Sequence, residues 1–386
     1  MTRLTTIGLA LGLSVAFAGY AAADIKIGVV GPMTGGNAAF GAQLKQGSEQ
    51  AVEDINKAGG ILGQKLVIVY GDDRADPKEG VSVANKFAAD GVKFVIGHFN
   101  SGVTIPASEV YQENSILEIS PSATNPKVTD RGMWNIFRVC GRDDQQGGVA
   151  GAIIAQRYKN KRIAFVHDKT TYGQGLAEEA RKSMNAHGMK EVFFEGVNKD
   201  DKDFTALVSK IKAANPDLVY WGGLQDAGGL IRRQMSDQGL KVPMMGGDGM
   251  ADDEFASIAG PAAEGTLMTF SPDPRTNAKN KAIIDLFRKK RGFEPQAYTL
   301  YSYAALQIIK QAAEAAKSTS AKKIAEVMHS GKVFHTVLGD VSFDKKGDVN
   351  GYVVDGKNKD RYVLYVWKKG ADGRITYVEA PAAATH

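Results

Sequence analysis

Three polar loops carry most of the side chains in this 386-residue sequence that could do chemistry. The first, His98-Phe99-Asn100-Ser101-Gly102, follows an apolar run and precedes a helical pattern. Ser101 therefore stands where it can cap a helix and offer its hydroxyl to an anion, beside the free N–H groups of the first turn. The second, Ser120-Pro121-Ser122-Ala123-Thr124-Asn125-Pro126, follows the next apolar run and falls at the same edge of the same sheet. A plain helix cap accounts for Ser101 alone, whereas two hydroxyl-bearing loops side by side make a cradle for a carboxylate. The third, Gly246-Gly247-Asp248-Gly249, places an acid between glycines at a strand end. Asp248 there can face a ligand cation or serve as an ordinary turn residue. Lys169, Thr170 and Tyr172, and then Leu224 and Gln225, lie on two further loops of the same kind.

Other chemistries lack their motifs. The six histidines show no H-E-x-x-H spacing, no G-x-S-x-G elbow occurs, and Cys140 is the only cysteine. The glycine-rich turn from Gly28 to Gly36 does not fit G-x-G-x-x-G, and Pro32 removes a backbone donor where a pyrophosphate would sit. Asp72 and Asp73 are adjacent on a strand and point to opposite faces, which suits a strand-end role with one solvated carboxylate better than a metal pair. No catalytic residue, metal site or cofactor is assigned.

The elements that must position these loops alternate. Short apolar runs at Ile25–Val30, Leu66–Tyr70, Lys93–Gly97, Ile116–Ile119, Arg162–His167, Val192–Gly196, Leu218–Trp221 and Val242–Gly246 read as strands. Leu44, Ser48, Ala51, Val52 and Ile55 recur at helical spacing among charged residues, stopped by Gly59-Gly60. Helices are likewise expected near Val81–Ala89, Val103–Asn114, Asp143–Lys159, Tyr172–His187 and Phe204–Ala214. This is α/β layering around parallel sheets. The series restarts after Gly141 and breaks at Pro272 and Pro274, beyond which helices are expected over Asn277–Arg291, Tyr298–Ala316 and Ala321–His329. The pattern suggests two similar lobes.

Arg3, the apolar run Ile7–Phe17 and the small residues up to Ala23 read as a secretory signal peptide, cleaved after Ala23. The 363 residues that remain suit two domains, and their charge balance, about +4 without Arg3, calls for no nucleic acid. The lone Cys140 lies far from the cleavage site, so a freely diffusing periplasmic protein is expected.

In these residues the chain resembles the periplasmic leucine/isoleucine/valine-binding protein family, the amino-acid receptors of ABC importers. The matching stretches span nearly the whole mature chain and include Asp24-Ile25-Lys26-Ile27, Val95-Ile96-Gly97-His98, Pro121-Ser122-Ala123-Thr124, Val166-His167-Asp168-Lys169, Tyr172-Gly173-Gln174-Gly175-Leu176, Tyr303-Ala304-Ala305-Leu306-Gln307 and Lys346-Gly347-Asp348. The resemblance implies a type I periplasmic binding protein: two mostly parallel sheets flanked by helices, joined by three hinge crossovers. It places a leader at 1–23, one lobe at 24–141 with 272–346, a second at 142–271 with 347–380, a tail at 381–386, and the third crossover near Asp344–Asn350. It assigns the ligand carboxylate to Phe99, Asn100, Ser101, Ser122, Ala123 and Thr124, and the ligand ammonium to Asp248, with Tyr172 closing from the second lobe. Phe40, Leu224 and Tyr298 fall at side-chain-pocket positions.

Three departures bear on selectivity. Asp248 stands where typical members carry Glu, Leu224 replaces an aromatic residue, and Ala75 and Asn100 stand where some members have a disulfide. The expected ligand is a small aliphatic, branched-chain-type amino acid, with γ-aminobutyrate, proline, an amide or an aromatic acid as alternatives. Expected partners are the ligand and the membrane permease of an ABC transporter, the protein itself being a monomer. A sensor serving a separate receptor, or an enzyme on the same layering, are the competing functions.

Overall fold

The computed structural model describes residues 23–359 and 361–381. The expected leader therefore lies outside the described residues apart from Ala23, as does the tail beyond Pro381.

Strand β1 (Ile25–Gly31) is apolar and buried along nearly its whole length, the pattern of a strand covered on both faces. After it come α1 (Ala38–Lys57), β2 (Leu66–Asp72), α2 (Pro77–Ala89), β3 (Phe94–Ile96), α3 (Ser101–Glu113), β4 (Leu117–Ser120) and β5 (Ile136–Arg138). The five strands pair in parallel in the order β2-β1-β3-β4-β5. A second series follows: α4 (Asp143–Arg157), β6 (Ile163–His167), α5 (Thr171–Ala186), β7 (Glu191–Gly196), α6 (Thr205–Ala213), β8 (Leu218–Gly222), α7 (Gln225–Asp237), β9 (Met244–Gly246), α8 (Asp253–Ala259) and β10 (Leu267–Phe270).

The chain then returns to the first sheet. Helices α9 (Lys281–Leu286), α10 (Ala297–Ala316) and α11 (Ala321–His329) lead to a small antiparallel sheet of β11 (Phe334–Thr336), β12 (Gly339–Val341), β13 (Tyr352–Val354) and β14 (Lys357–Lys359). Helix α10 packs along α1, closely enough that a Cβ on Gly47 would lie 2.0 Å from the Thr299 carbonyl oxygen. Finally β15 (Val363–Lys369) and β16 (Ile375–Glu379) add antiparallel strands to the second sheet, whose order is β16-β15-β10-β9-β8-β6-β7.

Two expectations need correction. The third crossover is not near Asp344–Asn350: β13 and β14 pair with β12, and Asp348 lies alongside Arg138 of β5, so the chain passes to the second sheet only between Lys359 and Val363. The helix expected over Asn277–Arg291 is broken into one 3-10 turn, the six-residue α9 and a π turn. The Asp273 and Asn277 side chains accept the N–H groups two residues on, and such local bonds compete with helix propagation.

Each sheet changes direction of winding beside the strand that comes first in its series, at β1/β3 and at β6/β8, and ligands of open α/β sheets bind at the carboxyl ends there. The loops at those ends are pinned from behind. Asp72 stays partly exposed and accepts the N–H groups of Met33 and Thr34, while Asp73 is buried against His98, so both acids serve the strand end. Arg138, 0% exposed, donates to Asp348 at 2.5 Å, to the carbonyls of Ala123 and Asn125 at 2.9 Å each, and to Thr129. Burial alone would raise the Asp348 carboxyl, but the Arg138 guanidinium holds it below its ordinary value. That contribution to stability is present above the ordinary carboxylate range and is lost as the pH falls through the lowered value.

Arg138→Met removes the donors that anchor the Ala123–Asn125 loop and leaves Asp348 with Arg142, at 2.8 Å, as its one remaining cation. We expect a loss of about 3–5 kcal/mol in unfolding free energy. Urea denaturation measures it, and a variant as stable as the wild type would show that the loop is held by other contacts.

Candidate functional site

The first sheet contributes the N-terminus of α3. Asn100 is extended at φ −84° and ψ 131° and is the residue that caps the helix, without a side-chain capping bond; Ser101 is the first helical residue. The expectation that Ser101 is the cap is thereby corrected. Its hydroxyl oxygen instead accepts the N–H of Asn125 at 3.2 Å, which ties the two loops together and leaves the hydroxyl proton to donate. The first-turn N–H groups add the positive end of the helix.

The second loop is stitched beneath the first. Ser120 donates to the His98 carbonyl (2.8 Å) and accepts from the Ala123 N–H (3.0 Å), and Ser122 donates to the Phe99 carbonyl (3.0 Å). Behind them the buried His98 ring sits between the Asp73 carboxylate (2.7 Å) and the Tyr111 hydroxyl (2.9 Å). The Thr124 hydroxyl is buried and turned to the Asp143 carboxylate, away from the first loop.

The second sheet contributes an acid. Asp248 opens a 3-10 turn directly after β9 and is 4% exposed. Tyr172, on the first turn of α5, donates to Asp248 Oδ1 at 2.9 Å and accepts the Gly249 N–H at 2.8 Å. A Cβ on Gly249 would lie 2.6 Å from the Gly223 carbonyl oxygen and 2.8 Å from the Tyr172 ring, so only glycine lets this turn seat the acid under the phenol. From the other lobe Tyr298 donates to Asp248 Oδ2 at 2.6 Å. Burial raises the Asp248 carboxyl above its ordinary value even though both phenols favour its charged form.

Phe99, Asn100, Ser101, Ser122, Tyr172, Leu224, Asp248 and Gly249 line one narrow cavity. Seven of these eight are among the residues expected from sequence. Phe40, Ala123, Thr124 and Tyr298 are not in its lining. Phe40 stacks on Phe99 with ring centroids 4.2 Å apart, and Tyr298 meets both edge-on at 5.2 and 5.9 Å, so these rings back the cavity wall. Tyr298 thus packs its ring behind the side-chain wall and in addition reaches the acid through its hydroxyl.

Asn100, Ser101, Tyr172 and Leu224 also line a wider chamber, shared with Asn37, Ala75, Asp168 and Asp226, that lies between the lobes. Burial pushes the Asp168 carboxyl up to about 6. Gln43 donates to Asp252 at 2.7 Å and Asn125 to the Thr171 carbonyl at 2.9 Å, so the lobes touch on both sides of the cavity. Sequence reasoning missed Gly249, Asp168, Asp226 and Gln43. Only the strand-end positions of Asp168 and Gly249 carried a signal for them.

The arrangement has a hydroxyl and helix N–H groups at one end, a desolvated carboxylate at the other and apolar Phe99 and Leu224 between. It suits a small zwitterion with an apolar side chain. Among the described residues no group of three His, Cys, Asp or Glu side chains could hold a metal ion.

The sequence agrees with this geometry. A family model described as periplasmic binding protein matches residues 24–371. The Leu/Ile/Val-binding protein homolog 1 of Brucella melitensis is 57% identical over 372 residues, covering 96% of this chain and 98% of that protein. Among solved structures, a leucine binding protein from Thermotoga maritima superposes with a TM-score of 0.81 at 27% identity, covering 92% of this chain and 99% of that one. A branched-chain amino acid transporter substrate binding protein from Streptococcus pneumoniae, in complex with isoleucine, superposes with a TM-score of 0.79 at 27% identity over 92% and 100% of the two chains. Together with the two facing α/β sheets, these matches show that the chain belongs to the periplasmic binding protein family.

Proposed function

We propose that this protein is the solute-binding component of an amino-acid ABC importer and captures a small or branched aliphatic amino acid between its lobes. The observation that carries the reading is the polarity of the cavity. Asp248 is desolvated, and its partners, two phenols, bring no positive charge. A buried carboxylate of that kind calls for a cation, and an α-ammonium supplies one. At the other end the Ser101 hydroxyl and the α3 N-terminus suit the α-carboxylate. The names of the Brucella melitensis relative and of the isoleucine complex point the same way.

The remaining parts of the reading follow from the family. The leader delivers the chain to the periplasm, and the loaded protein, a monomer, hands its ligand to a membrane permease. The ligand bridges both lobes, so it binds the closed arrangement better than an open one and favours closure by that difference. No step needs a cofactor or a metal.

Leucine, isoleucine, valine or alanine is expected to bind with micromolar or tighter affinity, about 8 kcal/mol or more, in isothermal calorimetry. Asp248→Asn should weaken that binding by about 2–5 kcal/mol, because one partner of a buried charge pair is lost. Binding of a nitrogen-free carboxylic acid alone would sink the reading. The Phe99 ring, stacked on Phe40, limits the length of the ligand side chain. Phe99→Ala should therefore shift preference toward leucine over alanine, and unchanged relative affinities across a size series would place the ring outside the contact.

A further inference from the structure

Behind the acid end of the cavity lies a second carboxylate that the proposed ligand contacts do not use. Asp143 is the first residue of α4; its N–H is held by the Thr124 carbonyl at 2.9 Å, and its side chain is 0% exposed. The Thr124 hydroxyl is the one side-chain donor beside its carboxylate, no cation pairs with it, and no well-formed hydrogen bond reaches either oxygen. Gln146 Oε1 and the Tyr220 hydroxyl, both buried, are unpartnered, and Gln146 stands one helical turn from Asp143. A Cβ on Gly247 would lie 3.0 Å from Gln146 Nε2 and 3.1 Å from the Tyr172 hydroxyl, which puts this polar cluster directly against the Asp248 turn.

The titratable and charged groups that face Asp143 are Asp248 from the turn after β9, Tyr172 from α5, Tyr220 from β8, Tyr362 from the segment before β15, and Cys140 and Arg138 from the chain leading into α4, with Asp144 next to it. Arg138 is the one cation in that set, and it is spent on Asp348 and two loop carbonyls. Two ionised carboxylates enclosed here without a cation would be too costly to persist. Burial first, and the Asp248 charge second, hold the Asp143 carboxyl well above the ordinary range.

We propose that Asp143 is a second acid of the ligand site, protonated while the cleft holds no cation, and that capture of a ligand ammonium releases its proton to solvent. The inference rests on the amino-acid reading of the site. The O–H bond of Asp143 breaks, its electron pair stays on the carboxylate, and the proton passes to water or buffer. The ammonium charge takes the place of the proton charge, so the net charge enclosed at this end is the same before and after. A ligand without a basic nitrogen cannot make the exchange, which makes Asp143 a determinant of specificity for cationic nitrogen. Because a proton leaves on binding, affinity rises with pH for as long as the empty site keeps Asp143 protonated, and then levels off.

Calorimetry of the purified protein with leucine, at one pH in two buffers of different ionisation enthalpy, reads the released proton directly. The expected heats differ by close to one proton per leucine bound, and affinity rises by about tenfold between roughly pH 6 and pH 7. Asp143→Asn is expected to abolish both effects. The wild-type measurement stands even if that variant does not fold. Equal heats in the two buffers overturn the proposal while leaving amino-acid binding intact, and a buffer dependence that survives in Asp143→Asn overturns it by assigning the proton to another group. If none of the amino acids named above binds at any pH, by calorimetry or equilibrium dialysis, the functional reading falls and this inference with it.

Discussion

Asp248 stays buried because both lobes reach it, Tyr172 from α5 on one side and Tyr298 from α10 on the other. A carboxylate taken out of water must recover hydrogen bonds, and neither lobe supplies enough of them alone. Separating the lobes returns one of its oxygens to solvent, while closing them exchanges that water for a phenol. The parallel sheets matter because they bring their carboxyl ends, with α3 and α5 starting there, to face each other across this one group.

The aromatic wall that runs up to the acid is tightly packed. Phe40, Phe99 and Tyr298 pack as a single aromatic block, and the loop that carries Phe99 is held from below by Ser120, Ser122 and the buried Asp73-His98-Tyr111 chain. Cavity shape in this lobe is therefore set by core packing, which tolerates little change in volume. Leu224 lines the facing side as the cap residue of α7, with its carbonyl bonded to the Trp221 indole at 3.1 Å. An aliphatic side chain there also lines the wider inter-lobe chamber that Asp168 and Asp226 border.

The alternation of apolar runs with amphipathic segments made the parallel cores legible, because buried central strands and surface helices carry their patterns locally. What failed to show depends on partners far away in sequence. Strand β5 is three residues long and ends in Arg138, whose burial makes sense only beside Asp348, 210 residues on. Strand β14 is an exposed Lys-Asn-Lys edge with no apolar signature, so the third crossing was read too early. The site loops were legible through hydroxyls and glycines at strand ends. Asp143 was not: an acid on the first turn of a helix is favourable for the helix dipole alone, and nothing local says that its carboxylate is sealed in without a cation.

The three crossings mean that neither lobe is a continuous piece of chain, and this sets the order in which a chain made from its N-terminus can finish folding. The first sheet has all five strands once residue 138 has emerged, yet α10, which covers α1, begins only at Ala297. Until then the apolar residues it shields have no partner, and β10 waits as a bare edge until Val363 arrives to pair with Phe270. Completion of both halves is thus reserved for the last third of the polypeptide. For the exported chain proposed above, this delay would be an advantage, since a protein that cannot close its cores early remains unfolded long enough to be threaded across a membrane.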